Sequence, residues 1–124
     1  DPEKSLGKAL LEPTRLYVRS LLPLIKSGKV KGLAHITGGG LTENIPRMLP
    51  DHLKCLAHST CPDCPAVFNW LQAEGQIETD EMNRTFNMGI GMVLCVAEAE
   101  AYQVMSDLKA VGANPMSYGV LASV

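Results

Sequence analysis

The sequence predicts a mixed α/β fold, a layered sheet with packed helices, with an α+β arrangement of the same elements as the other form open to it. Three observations lead there. Helical and strand periodicities alternate along the chain instead of segregating. The run 88–96 is apolar on both alternating sets, as expected of a central strand covered on both faces. Finally, an apolar strand ends at His35-Ile36-Thr37-Gly38-Gly39-Gly40 and a helix restarts behind it. With 124 residues, a single domain over 1–124 is expected.

The elements follow in order. Over 14–26, Tyr17, Leu21, Leu24 and Ile25 recur at helical spacing, with Val18 and Leu22 widening the stripe and Gly28 as the stop. Pro23 removes one hydrogen bond, so a kink or an early last turn is expected there. Residues 29–36 form a short apolar run between glycines, read as a strand. Pro46 fits only near a helix start, which gives a short helix over 42–49 halted by Pro50. Residues 51–64 show no clear period and read as a loop. Helices are expected over 65–73, opened by a proline, and over 79–86, with an acidic first turn. In the strand 88–96, Ile90, Met92, Leu94 and Val96 oppose Val93 and Cys95. Ala101, Val104, Met105, Leu108 and Val111 form a helical stripe ended by Gly112, and 118–124 alternates as a last strand. Three strands are few for a sheet, which suggests a fragment.

Hydrophobic residues at 46%, charged residues at 19% and a net charge of -2 describe a soluble globular chain. The Lys and Arg residues form no run and interleave with no aromatic platform, so no nucleic-acid partner is expected. No stretch reaches the ~20 apolar residues of a membrane span, and Asp1-Pro2-Glu3-Lys4 does not read as a signal peptide. No membrane association and a cytoplasmic location are expected. The four cysteines are not spaced as a secreted disulfide framework, so reduced thiols are the default.

The glycine triplet carries the main chemical signal. Residues without Cβ reach positive φ and let a ligand approach the backbone, and a helix start directs N–H groups at an anion. Gly38, Gly39 and Gly40 therefore read as a phosphate-binding turn, against the alternative of a merely flexible one. The pattern matches neither the P-loop nor the dinucleotide fingerprint. Asn44 and Arg47, three apart, present an amide and a guanidinium on one face, against the alternative of a solvated face. His35, at a strand end where ligands of open α/β sheets gather, is a proton-transfer candidate or a satisfied sheet histidine. Asn87, at the mouth of the 88–96 strand, is the better ligand candidate there, because Gly89 and Gly91 fit close packing equally well. Cys55, His58, Cys61 and Cys64 recur every third residue, a cramped zinc set, and Cys61 with Cys64 could act as a thiol pair. No metal ligand is assigned.

Residues beyond spacing carry the next step. Leu11-Glu12-Pro13-Thr14-Arg15-Leu16-Tyr17-Val18, the run 35–47 with its Glu43-Asn44-Ile45-Pro46-Arg47 string, Val67-Phe68-Asn69-Trp70-Leu71-Gln72, and Arg84-Thr85-Phe86-Asn87-Met88-Gly89-Ile90-Gly91-Met92 occur in this order. Together they resemble the C-terminal domain of the phosphoribosylaminoimidazole (aminoimidazole ribonucleotide) synthetase family of purine biosynthesis. The resemblance covers about 10–119. It implies the substrate-side domain of a cyclo-ligase that converts formylglycinamidine ribonucleotide to 5-aminoimidazole ribonucleotide with ATP and Mg²⁺. Both of these would be bound mostly by an N-terminal domain absent from this chain, leaving a catalytically silent half. The implied partners are the ribonucleotide substrate, the protein's own N-terminal domain and a second copy in a homodimer, and the parent is free-standing or a multifunctional, trifunctional enzyme. By the same resemblance Gly38, Gly39 and Gly40 would cradle the anion, Asn44 and Arg47 would support it, His35 would face substrate and Asn87 would line the same cleft.

One stretch departs from the family pattern. At 54–64 the family usually carries a tryptophan and a shorter connection, which keeps a zinc- or thiol-dependent interaction module open. A sibling synthetase of the same superfamily is a further alternative, and the Glu43 to Arg47 string argues against it.

Overall fold

The computed structural model describes residues 5–124; the reading of Asp1-Pro2-Glu3-Lys4 lies outside them. The chain runs α1 (Leu6–Leu10), α2 (Val18–Lys26), β1 (Val30–His35), α3 (Gly40–Asn44), a 3₁₀ turn (Pro46–Met48) and β2 (Leu53–Ala57). It continues with α4 (Ala66–Gly75), α5 (Thr79–Thr85), β3 (Met92–Val96), α6 (Glu98–Ala110) and β4 (Gly119–Ser123). Helices and strands are mixed, as expected, and both pairings are antiparallel: β1 with β3, and β2 with β4. This is the α+β form of the expected class.

The β1–β3 ladder is the middle layer. Leu33 faces Leu94, Ala34 faces Val93 and His35 faces Met92, and the Ile36 N–H extends the ladder to the Gly91 carbonyl at 2.9 Å. On one face α2 and α6 bury Leu21, Leu24, Val104 and Leu108 against Met92, Leu94 and Val96. On the other, α3, the 3₁₀ turn and the second sheet surround Ala34, Ile36, Leu41 and Ile45, with Val93 and Cys55 packed against them. The alternation in β3 thus separates two apolar clusters, and both faces are covered. Among the described residues, however, β3 pairs with β1 alone.

Four boundaries differ from expectation, each for a local reason. The strand expected from 88 begins at Met92, because Met88 (φ +48°) and Gly89 (φ +88°) form a turn closed by the Ile90 N–H on the Asn87 carbonyl at 2.8 Å. Ile90 therefore joins the cluster opposite to Met92. The helix expected over 42–49 starts at Gly40 and breaks after Asn44, and Pro46 opens a separate 3₁₀ turn. The stretch 51–64, read as a loop, contains β2, in which Leu53 and Cys55 turn inward and Lys54 and Leu56 outward. Helix α2 begins at Val18, later than expected, and runs through Pro23 to Lys26.

Candidate functional site

The glycine triplet joins β1 to α3, and its members sit in three different environments. Gly38 has open space where a side chain would go. Gly39 (φ +98°) lies against Glu43, whose carboxylate oxygen would be 2.7 Å from an added Cβ. Gly40 (φ +57°) is buried, and its missing Cβ leaves room for the backbone carbonyls of Asn83 and Phe86. Glycine at 40 thus seats α3 against α5, whose Met82 is fully buried. That role differs from ligand approach.

Asn44 is the buried polar group of this region, at 6% exposure. Its Nδ2 donates to the carbonyls of Gly40 at 2.8 Å, Gly38 at 3.2 Å and Thr37 at 3.4 Å. An amide has two hydrogens, so three carbonyls share them and both donors are taken up by the turn. Its Oδ1 accepts from Nη1 of Arg47 at 3.3 Å, and Nη2 of Arg47 lies 3.6 Å from Oε2 of Glu43. Asn44 therefore holds the shape of the glycine turn from below, and Arg47 keeps an exposed guanidinium above it.

His35, Asn44 and Arg47 come together. With Leu33, Ala34 and Met48 they line a shallow depression of about 230 Å³ between β1 and the 3₁₀ turn. A Cβ at Gly32 would stand 3.4 Å from the Met48 carbonyl, an ordinary contact distance, so β1 and the 3₁₀ turn lie side by side here. Among the described residues this edge of β1 carries no strand partner. The imidazole of His35 stands edge to face with Tyr17, ring centroids 5.8 Å apart at 66°. In the sequence Tyr17 belongs to a helical stripe and to the Leu11 to Val18 string, neither of which points to a contact with His35. The signal that could have found it was the glycine at 91, since a Cβ there would overlap the Tyr17 hydroxyl.

Asn87 does not line this depression. Its Oδ1 accepts the Gly89 N–H at 3.0 Å, which fixes the turn before β3, so its side chain is occupied locally. Gly89 makes room for Pro65, Cys61 and Cys64, the packing alternative weighed for it.

A second cavity of about 400 Å³ lies between α3, the end of β2 and the turn before β3, with Leu41, Ile90 and Tyr118 inside and His58 and Cys61 at its rim. His58 is engaged by two hydroxyls, Ser59 Oγ at 2.8 Å on Nδ1 and Ser117 Oγ at 3.3 Å on Nε2. Cys55, by contrast, packs in the inner cluster. Among the described residues no three His, Cys, Asp or Glu side chains gather to hold a metal ion, so the every-third-residue spacing does not become a zinc site. Burial, with Cys95 nearby, raises the Cys55 thiol above its ordinary pKa, and burial with Cys61 nearby raises Cys64. Both shifts favour the protonated, unreactive thiol.

A family model described as "AIR synthase related protein, C-terminal domain" matches residues 1–119. The chain is 49% identical over 121 residues to the bifunctional purine biosynthetic protein ADE1 of Schizosaccharomyces pombe, covering 98% of this chain and 15% of that protein. It is 50% identical over 105 residues to the chloroplastic phosphoribosylformylglycinamidine cyclo-ligase of Arabidopsis thaliana, covering 85% of this chain and 27% of that protein. The chain thus spans less than a third of the length of either relative.

Proposed function

This chain belongs to the AIR synthase related protein family, whose C-terminal domain it matches, and on that premise we propose that it is the substrate-side part of a phosphoribosylformylglycinamidine cyclo-ligase. The reaction closes formylglycinamidine ribonucleotide to 5-aminoimidazole ribonucleotide. ATP transfers a phosphoryl group to the formyl oxygen. The ring-closing nitrogen then attacks the formyl carbon, the carbon–oxygen bond breaks, phosphate departs and the nitrogen loses a proton. The single observation that carries the reading is half-identity to a protein named for this activity across 85% of the chain.

Within this reading the depression beside β1 receives the ribonucleotide. Arg47 offers a solvent-open guanidinium held by Glu43 and Asn44, suited to phosphate. Gly38 leaves the turn accessible, and Asn44 fixes that turn so that it needs no rearrangement when an anion arrives. His35, at the strand end and exposed, takes the proton-transfer role. Asn87 supports the site through its turn without contacting substrate. Among the described residues no three His, Cys, Asp or Glu side chains gather into a preformed Mg²⁺ cage. ATP and Mg²⁺ fall to another part of the parent protein, as the small share of each relative covered by this chain also suggests. A homodimeric or multifunctional parent belongs to the same proposal. So does a cytoplasmic location, supported by four free cysteines; no described helix is long and apolar enough to cross a membrane.

The test is direct. The parent protein, given the amidine precursor and ATP, forms 5-aminoimidazole ribonucleotide, and its failure to do so overturns the reading. Arg47→Ala should raise the KM for the ribonucleotide by at least about tenfold, the loss of one charge-assisted phosphate contact. Unchanged steady-state kinetics would remove Arg47 from the site.

A further inference from the structure

Three separated segments meet at one phenol ring: Tyr17 just before α2 reaches His35 at the end of β1 and Gly91 just before β3. Tyr17 is held at its backbone, at its ring and at its hydroxyl. Its backbone carbonyl accepts the Leu21 N–H at 3.0 Å and the Ser20 hydroxyl at 2.9 Å, locking the entry to α2. Its ring packs on the cluster of Leu21, Leu24, Val104 and Leu108. Its hydroxyl occupies the volume that a side chain at 91 would fill. What the ring presents to the site is its contact with His35, at 5.8 Å and 66°. His35 itself is exposed at a strand end, where an imidazole would otherwise exchange freely among rotamers.

We propose that Tyr17 is a positioning residue for the cyclo-ligase reaction, holding the His35 imidazole in the orientation that faces the ribonucleotide, with Gly91 glycine so that the phenol can reach it. This rests on His35 acting in that reaction. A clamped imidazole reaches the reacting atoms without a rotamer search, so its loss lowers turnover more than substrate binding, which Arg47 and the glycine turn retain. The phenol hydroxyl is not needed for this role. Phenylalanine should therefore replace it, whereas an aliphatic side chain of similar volume should not.

The experiment uses the parent synthetase with Tyr17→Phe, Tyr17→Leu, Gly91→Ala and His35→Ala, assayed with the amidine ribonucleotide and ATP. The His35 resonance is followed by NMR after ¹³C-histidine labelling and assigned with the His35→Ala protein. Expected are a kcat at least about tenfold lower in Tyr17→Leu with KM within about twofold, and near-normal turnover in Tyr17→Phe. The His35 signal should shift in Tyr17→Leu and stay in place in Tyr17→Phe. Gly91→Ala, which displaces the phenol and leaves Tyr17 itself intact, should reproduce the kcat loss, and it decides the matter if Tyr17→Leu does not fold. Normal turnover in both Tyr17→Leu and Gly91→Ala beside an inactive His35→Ala overturns the positioning role and leaves the reading of His35 standing. Normal turnover in His35→Ala overturns both. Failure of Tyr17→Phe to restore turnover, or a kcat loss with the His35 signal unmoved, also overturns the proposal.

Discussion

A methyl group added at Gly40 would overlap the carbonyl of Asn83, at a φ of +57° that disfavours any side chain. Gly40→Ala should destabilise the chain by at least about 2 kcal/mol in urea unfolding, because strained backbone and a clash with main chain both count against it. Gly38 has ordinary φ and open space, so Gly38→Ala should change stability by no more than about 0.5 kcal/mol. If Gly38 serves ligand approach, the same variant loses affinity for the ribonucleotide with its stability intact. Asn44 belongs to the same turn. Asn44→Asp removes the donors that satisfy three carbonyls and places a carboxylate against them, which should cost about 3 kcal/mol or more. A urea midpoint within error of the unmodified chain would show that the turn holds its shape without Asn44.

At the scale of elements, α4 ends in a feature that is open to improvement. Gln76 sits at φ +49° and ψ +43°, and the Ile77 N–H reaches back to the Gln72 carbonyl at 3.0 Å. The side chain of Gln72 fixes the same corner, donating to the Ile77 carbonyl at 3.1 Å and to Thr79 Oγ1 at 3.2 Å. Gln76→Gly should stabilise the chain by about 0.5–1 kcal/mol, since glycine takes the left-handed region without the Cβ penalty. A lower urea midpoint would contradict this. How far elements can be read from sequence depends on where their signals lie. Helix α6 and strand β3 are legible because Val104 and Leu108 are buried, and Met92 and Leu94 half-buried against them, in register with their periods. Strand β2 is not, because only Leu53 and Cys55 turn inward and its pairing with β4 joins residues more than sixty apart. His35, Asn44 and Arg47 are legible as a group through the glycine turn between them. Tyr17 is not, because a long-range ring contact leaves no periodic trace, and the Asx turn that engages Asn87 Oδ1 is set by local geometry.

At the scale of the molecule, the β1–β3 layer is tied to α6 by Lys29, whose Nζ lies 3.2 Å from Oδ2 of Asp107, while Gln103 donates to Oδ1 at 2.8 Å. The Gln103 hydrogen bond, followed by that of Lys29, holds the Asp107 carboxyl below its ordinary pKa. A carboxyl whose folded pKa is depressed binds its proton more weakly in the folded state than in the unfolded state. Its stabilisation is therefore complete above the unfolded value, about 3.9, and is lost as pH falls through the folded one. Cys55 and Tyr118 act in the opposite direction. Burial raises both, so the stability they lend is complete below their unfolded values and is lost as pH rises through the folded ones. Stability should therefore fall at both ends, with the acid limb attached to α6 and the alkaline limb to the cluster beneath β2. Asp107→Asn keeps the size and one acceptor oxygen but cannot titrate. Urea unfolding from pH 6 down to pH 3 should then show a shallower acid decline for Asp107→Asn than for the unmodified chain, and the two should differ little in shape between pH 6 and pH 8. Parallel acid limbs would show that other carboxylates govern the decline and that the Lys29–Asp107 tie is too solvated to contribute.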